Sequence, residues 1–350
     1  MSEEKSSMRI TLTTGTLVKI IVVLFCLYFA YLIQDILAIL FVSVVFSSAM
    51  DPFVDWMQKK NIPRALGISL IYVVLLFIIS AMVYLIIPPI MNQFNQLLVD
   101  LPNYIDHFNG FLSSFKSYTA SHGWLEQIKN SLGSMTTSLQ SAAGGVFSTL
   151  YNIVGGIFSL IIILVITFYM VVEEKAIRKL IWSLTPENKQ NHVMELFNRI
   201  QIKMGLWFRG QLILCLIIFA MTYVCLLVLG VKYALILALI AGFTEFIPYL
   251  GPLIGAVPAV FLAFSQSPTL AFFVAIVYIV VQQVENNFLV PKIMEKAVGM
   301  NPIISIVVLM IGFSIGGIMG ALLSIPVATA ALVIFDDIIH KKRSKEKELV

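Results

Sequence analysis

The sequence predicts an all-α polytopic membrane protein, and three observations carry that reading. Apolar residues make up 59% of the 350 and charged residues only 12%, with a mean hydropathy of +0.94; a soluble domain carries roughly 25% charged residues. Apolar runs close to the ~20 residues that span a bilayer recur along the chain. Basic residues collect in alternate loops, as cytoplasmic loops do. The runs are Leu17–Ile33, Ile36–Met50, Leu66–Ile87, Val146–Val172, Leu212–Leu229, Tyr233–Phe264, Thr269–Val281 and Ile303–Phe335. They give about eight transmembrane segments, of which the second and seventh are short. The sixth and eighth are interrupted by Gly and Pro and are long enough to be two half-helices each.

Residues 1–87 hold the first three segments. The first is not a cleaved signal peptide: it lacks a small-x-small site, and a second apolar block follows Gln34-Asp35. Asp51-Pro52 is expected to end the second block, because a residue before proline is pushed out of the helical region. Asn61-Ile62-Pro63-Arg64 marks a turn before the third. Residues 88–145 read as an amphipathic helical hairpin outside the membrane. Its first arm has Ile90, Phe94, Leu97, Leu101, Ile105 and Phe108 at steps of three and four, and its second has Leu125, Ile128, Leu132, Met135, Leu139 and Ala142. The arms are expected to continue blocks three and four. They either pair only with each other or help to assemble a homo-oligomer.

Residues 146–172 form the fourth segment and residues 173–210 a cytoplasmic amphipathic stretch. Thr185 is expected to N-cap a helix there, with Pro186 at its first position. Val193, Leu196, Phe197, Ile200, Met204 and Trp207 share one face. The helix either lies against anionic lipid or extends block five. Residues 211–338 are the C-terminal transmembrane core, and residues 339–350 a basic tail.

Charge placement sets the orientation. Lys5, Arg9 and Lys19 precede the first block, and Lys59, Lys60 and Arg64 follow the second. Seven basic residues lie within Glu173–Arg209, and Lys341, Lys342, Arg343, Lys345 and Lys347 lie in the tail. The stretch Pro88–Gly145 carries only Lys116 and Lys129. The positive-inside rule therefore puts both termini in the cytoplasm and Pro88–Gly145 outside, in a multi-pass protein of the cytoplasmic membrane. Trp56, Trp124, Trp182 and Trp207 fall in loops or at block ends, where headgroup anchoring is expected.

Enzymatic chemistry has no foothold. His107, His122, His192 and His340 are far apart, and no HExxH, GxSxG or P-loop motif occurs. Cys26, Cys215 and Cys225 sit in apolar blocks without a CxxC, so they read as packing residues. No cofactor and no metal are implied. The tail next to a membrane helix suits anionic lipid rather than nucleic acid.

The candidate path lies in the broken segments. Ala241–Val260 carries Pro248, Pro252 and Pro258 among Gly242, Gly251 and Gly255, with Glu245 just before the break. Irregular backbone at membrane depth requires protein or a water-filled cavity to replace its hydrogen bonds. A carboxylate there costs roughly 2.5–3.5 kcal/mol on insertion scales, so Glu245 must face a cavity, find a partner or take up a proton. It serves either as a proton or cation site or as a cap for backbone freed by the prolines. Gln282, Gln283, Glu285, Asn286 and Asn287, followed by Lys292, place amides and an acid at the end of block seven; their oxygens suit hard cations or polar solutes. A polar helix end wetted by headgroups is the alternative. Block eight repeats the design of block six, with Gly312, Gly316, Gly317 and Gly320 before Pro326. Paired interrupted segments point to a transporter's binding site.

These motifs resemble the autoinducer-2 exporter family. The similar stretches are Glu245-Phe-Ile-Pro-Tyr-Leu-Gly-Pro-Leu-Ile-Gly-Ala-Val-Pro258, Gln283-Val-Glu-Asn-Asn-Phe-Leu-Val-Pro-Lys-Ile-Met294 with Val298-Gly-Met-Asn-Pro302, Gly205-Leu-Trp-Phe-Arg-Gly-Gln211, and Gly320-Ala-Leu-Leu-Ser-Ile-Pro326. The resemblance implies an inner-membrane transporter or permease of about eight helices with cytoplasmic termini. Export of autoinducer-2 is attributed to some members and sodium/proton antiport to others.

The expected function is a secondary transporter that exports a small polar solute of the autoinducer-2 kind. Its alternative is a monovalent cation (sodium)/proton antiporter using Glu245 or Glu285. From another class comes a non-transporting oligomeric membrane scaffold, which has no need of a buried acid in broken backbone.

Overall fold

The computed structural model describes residues 21–25, 28–29, 32–116, 146–294 and 300–348. Its helices in chain order are α1 (Gln34–Gln58), α2 (Arg64–Lys116), α3 (Val146–Val172), α4 (Glu174–Leu184), α5 (Gln190–Val228), α6 (Ala234–Thr244), α7 (Leu250–Gln266), α8 (Pro268–Val284), α9 (Val290–Met294) and α10 (Pro302–Glu348). A 3-10 turn at Glu187–Lys189 precedes α5, and a π-helical turn at Glu285–Leu289 follows α8. There is no strand among the described residues. Among the described residues, four stretches are long and apolar enough to cross a membrane: Gln34–Gln58, Glu187–Val228, Pro268–Met294 and Ile303–Ile339. Large apolar side chains face outward on several of these helices, among them Leu216, Phe272 and Ile306. Such a surface needs lipid around it, so the chain is a multi-pass membrane protein.

The N-terminal helices meet around Val54, Ile68 and Val171. Arg64 opens α2 and ties this layer together. Its Nη1 lies 2.7 Å from Asp55 and 2.9 Å from Glu174, and its Nε donates to the Val171 carbonyl at 2.8 Å. Helix α2 runs unbroken to Lys116. The second arm expected outside the membrane, together with Trp124, lies outside the described residues.

Pro52 does not end the second block: α1 continues through it to Gln58. Proline has no N–H, so the Ser48 carbonyl loses its intrahelical donor. Gly205 of α5 packs directly against that carbonyl, where a methyl group would overlap it. A glycine on the partner helix thus fills the space above the break, and α1 and α5 approach closely there.

Thr185 does not cap the following helix. Its hydroxyl donates back to the Ile181 carbonyl at 2.7 Å, closing α4, an amphipathic helix that the sequence reading did not separate. The stretch from Gln190 is one helix with block five, an extension rather than a separate surface helix. Trp207 is buried at 3% exposure, not a headgroup anchor, because its side of α5 meets α1 and α10.

Both interrupted blocks fold back as helical hairpins. In the first, a Cβ on Gly255 would sit 2.9 Å from Ala241 Cα, and one on Gly251 would overlap the Thr244 carbonyl, so α6 and α7 run antiparallel almost backbone to backbone. Thr244 Oγ1 lies 2.8 Å from the Ile240 carbonyl and 2.9 Å from that of Gly251, stitching the turn. The open ends also meet: the Lys232 amide donates to Gln266 Oε1 at 3.3 Å. In the second, α10 turns at Gly316 and Gly317, which leave helical geometry. Gly312 and Gly320 face each other so closely that a Cβ on either would overlap the other's carbonyl.

The hairpins enter from opposite sides. The first starts and ends beside Lys232, at the C-terminal end of α5. The second ends beside the N-terminal part of α5, where His192 Nε2 lies 2.8 Å from Asp337 Oδ2. Arg199 and Lys203 share a cleft there with Thr329 and Asp336.

Candidate functional site

The tip of the first hairpin, Glu245–Tyr249, ends in the interior against α5 and the π-turn. Tyr249 at φ 67° lies in the left-handed region, a conformation that costs a non-glycine residue free energy and reverses the chain here. The Glu245 carbonyl, exposed by the end of α6, accepts from Gln211 Nε2 at 2.6 Å. Gln211 is 1% exposed. The carbonyls that Pro248 and Pro252 leave without a helical donor, those of Thr244 and Pro248, accept from the Ile247 and Leu250 amides instead, so the backbone need that sequence reading had offered to the Glu245 side chain is met locally.

The Glu245 carboxyl is therefore available for something else. It is 1% exposed, and its Oε2 has no hydrogen-bond partner among the described residues. Its carboxyl faces that of Glu285 within hydrogen-bonding reach. Glu285 is 4% exposed and is brought inward by the π-turn, a local widening of the helix that re-aims side chains. Gln282 Nε2 donates to Glu285 Oε2 at 3.3 Å. Two acids side by side away from water cannot both ionise without a cation between them; otherwise they share a proton.

The pair opens into a cavity of about 380 Å³. Trp207, Gln211 and Leu214 line it from α5, and Glu245, Pro248 and Tyr249 from the hairpin tip. Glu285, Asn286, Val290, Pro291 and Met294 come from the end of α8 onward, and Met300, Ser305 and Ile325 from the last part of the chain. Among the described residues, no lysine, arginine or histidine lines it.

Of the residues expected from sequence, Glu245, Pro248, Glu285 and Asn286 converge on this cavity. Gly251 supports the tip by packing on Thr244. Pro252 lies in the first turn of α7, and Gln282 braces Glu285. Gln283 and Asn287 pair with each other on an exposed face at 2.9 Å. Lys292 is exposed and has no ion pair among the described residues. Gly316 and Gly317 form the tip of the second hairpin, with open space around them and away from the cavity. Sequence reasoning missed Trp207, Gln211, Tyr249, Met300 and Ser305 as lining residues. The signal available for Gln211 was a single amide entering an apolar helix. Among the described residues, no group of three or more His, Cys, Asp or Glu could hold a metal ion.

A family model for AI-2E family transporters matches residues 20–340. The chain belongs to that family. Among relatives, the candidate transport protein YrrI of Bacillus subtilis is 30% identical over 321 residues, 91% of this chain and 90% of its own. YueF of the same organism, also a candidate transport protein, is 30% identical over 341 residues, 94% and 89% of the two chains. The candidate permease PerM of Escherichia coli is 23% identical over 305 residues, covering 85% and 86%. The residues matched by the family model include both hairpins and the acid pair's two elements. A membrane transporter is the common reading of the family, the buried carboxyl pair and the broken helices.

Proposed function

We propose that this AI-2E family member is a proton-coupled secondary transporter that exchanges a monovalent cation for a proton at Glu245 and Glu285. The observation that carries the reading is the meeting of two buried carboxyls in one cavity that no basic side chain lines among the described residues. With the site empty, one proton and one negative charge occupy the pair. A bound cation supplies the charge that the proton supplied, so the second carboxyl ionises and the site's net charge stays the same. One proton leaves for each cation taken up. The tip of the first hairpin and the arms of the second, at Ser305 and Ile325, frame this pocket, an arrangement that fits an alternating-access device. With the basic loops in the cytoplasm, the first hairpin enters from outside and the second from inside.

Reconstituted vesicles test this. Sodium-dependent proton movement is expected in the wild type and is lost in Glu245→Gln and in Glu285→Gln. Undiminished flux in both variants overturns the assignment. A second reading, export of a small polar solute of the autoinducer-2 kind, is favoured by the cavity's 380 Å³ and by Asn286 and Ser305 at its wall. It expects labelled autoinducer-2 to move without added sodium, and Asn286→Ala to slow it.

A further inference from the structure

The cavity is built for more than a bare ion. An alkali cation is held by several oxygens closing around a few cubic ångströms. Here about 380 Å³ surrounds the two acids, a volume within the range of pockets that hold small organic molecules. Its other walls are chiefly apolar and polarisable. Trp207 and Tyr249 bring aromatic rings, and Met294 and Met300 bring thioethers. Trp207 is fixed in this position by burial against α1 and α10, so its ring is a rigid wall. Aromatic faces attract cations through their quadrupole, most strongly when water is excluded. Methionines adapt their shape to different apolar surfaces. Paired carboxyls supply the countercharge, and among the described residues no fixed positive side chain at the wall competes for it.

We infer that the exchanged cation is a lipophilic organic monocation, such as a quaternary ammonium or phosphonium, seated between the acid pair and the Trp207 and Tyr249 rings. The inference rests on the cation–proton reading above and names its substrate class. The charge balance is unchanged: the proton shared by Glu245 and Glu285 leaves to solvent as the organic cation enters, and no bond other than O–H is broken.

Detergent-purified full-length protein in weakly buffered solution, with a pH-indicator dye, tests it using tetraphenylphosphonium and sodium as separate probes. Tetraphenylphosphonium is expected to release about one proton per cation bound, and Glu245→Gln and Glu285→Gln to release none. Trp207→Leu is expected to weaken tetraphenylphosphonium binding about tenfold. Trp207 is a core residue, so Tyr249→Leu, at the half-exposed rim, is the second variant. Proton release by sodium but not by tetraphenylphosphonium overturns the organic substrate class and leaves the cation–proton reading standing. Release by neither probe overturns both. Full tetraphenylphosphonium affinity in folded Trp207→Leu and in Tyr249→Leu overturns the placement against the rings.

Discussion

A polar side chain buried in an apolar helix is tolerated when its hydrogen-bonding groups find partners. Gln211 meets that condition by donating to the Glu245 carbonyl, the point where α6 gives out. Gln211→Leu leaves that carbonyl unpaired in the interior, at a cost of about 1–3 kcal/mol. A lower midpoint of thermal unfolding in detergent is the expected result, together with slower transport, because the carbonyl belongs to the residue whose carboxyl faces Glu285. An unchanged midpoint would show that the hydrogen bond does not hold the tip. At this scale sequence reading went part of the way. Glu245 stood out as a lone acid in an apolar block, and Glu285 as the acid in a run of amides. Their pairing did not, since forty positions separate them and nothing local says that one lies at a hairpin tip and the other on a π-turn. Gln211 lay within a recognisable stretch, yet a single amide carries no mark of which carbonyl it will serve.

Among the elements, the two hairpins owe their closeness to glycines facing backbone. Gly251 touches the Thr244 carbonyl and Gly255 the Ala241 Cα, so α6 and α7 cannot both keep their places around a larger side chain. Gly251→Val is expected to destabilise the fold by about 1–3 kcal/mol or more through overpacking and to abolish transport. Gly316→Ala is expected to be tolerated on both counts, since open space surrounds Gly316 and its φ is −130°. Size-exclusion profiles and vesicle flux of the two variants check the contrast. Pro, Gly and apolar run length announced the interruptions, but could not tell a kinked crossing from a hairpin, because either begins with the same broken helix. What decides is the far contact, Gly312 against Gly320 and Lys232 against Gln266, and that is a tertiary matter. Two local signals also lost to their surroundings. Pro52 failed to stop α1 because Gly205 leaves room at the unpaired Ser48 carbonyl. Thr185 closed α4 rather than opening α5.

The whole molecule then has a sidedness that labelling can read. Ser265 lies one residue before Gln266, whose side chain meets Lys232, so the hairpin returns the chain to the side it left. A cysteine at Ser265 is expected to react with an impermeant maleimide from the same side as one at Lys232. The two reacting from opposite sides would mean that block six crosses. The all-helical class and its membrane setting were legible from composition, the recurring apolar runs and the placement of basic residues. The segment count was not, since apolar run length does not distinguish a span from half of a hairpin, and the described chain shows four stretches long enough to cross. One of these, Ile303–Ile339, folds back on itself at Gly316 and Gly317.

The shortness of α6 bears on how the protein is made. Its 11 residues reach only about 16 Å at 1.5 Å per residue, roughly half of a bilayer's ~30 Å hydrocarbon core. It leaves the ribosome directly after α5 and cannot be released into lipid as a span of its own. The Glu245 carbonyl just past its end is covered by Gln211, already made, and the face that carries Ala241 and Thr244 by α7, not yet made. Insertion of this region therefore cannot proceed helix by helix in order of synthesis. The nascent chain must hold α6 against α5 until α7 has been added, and only then does the acid at its tip come to rest opposite Glu285. The cavity around the two acids is among the last parts of the molecule to exist.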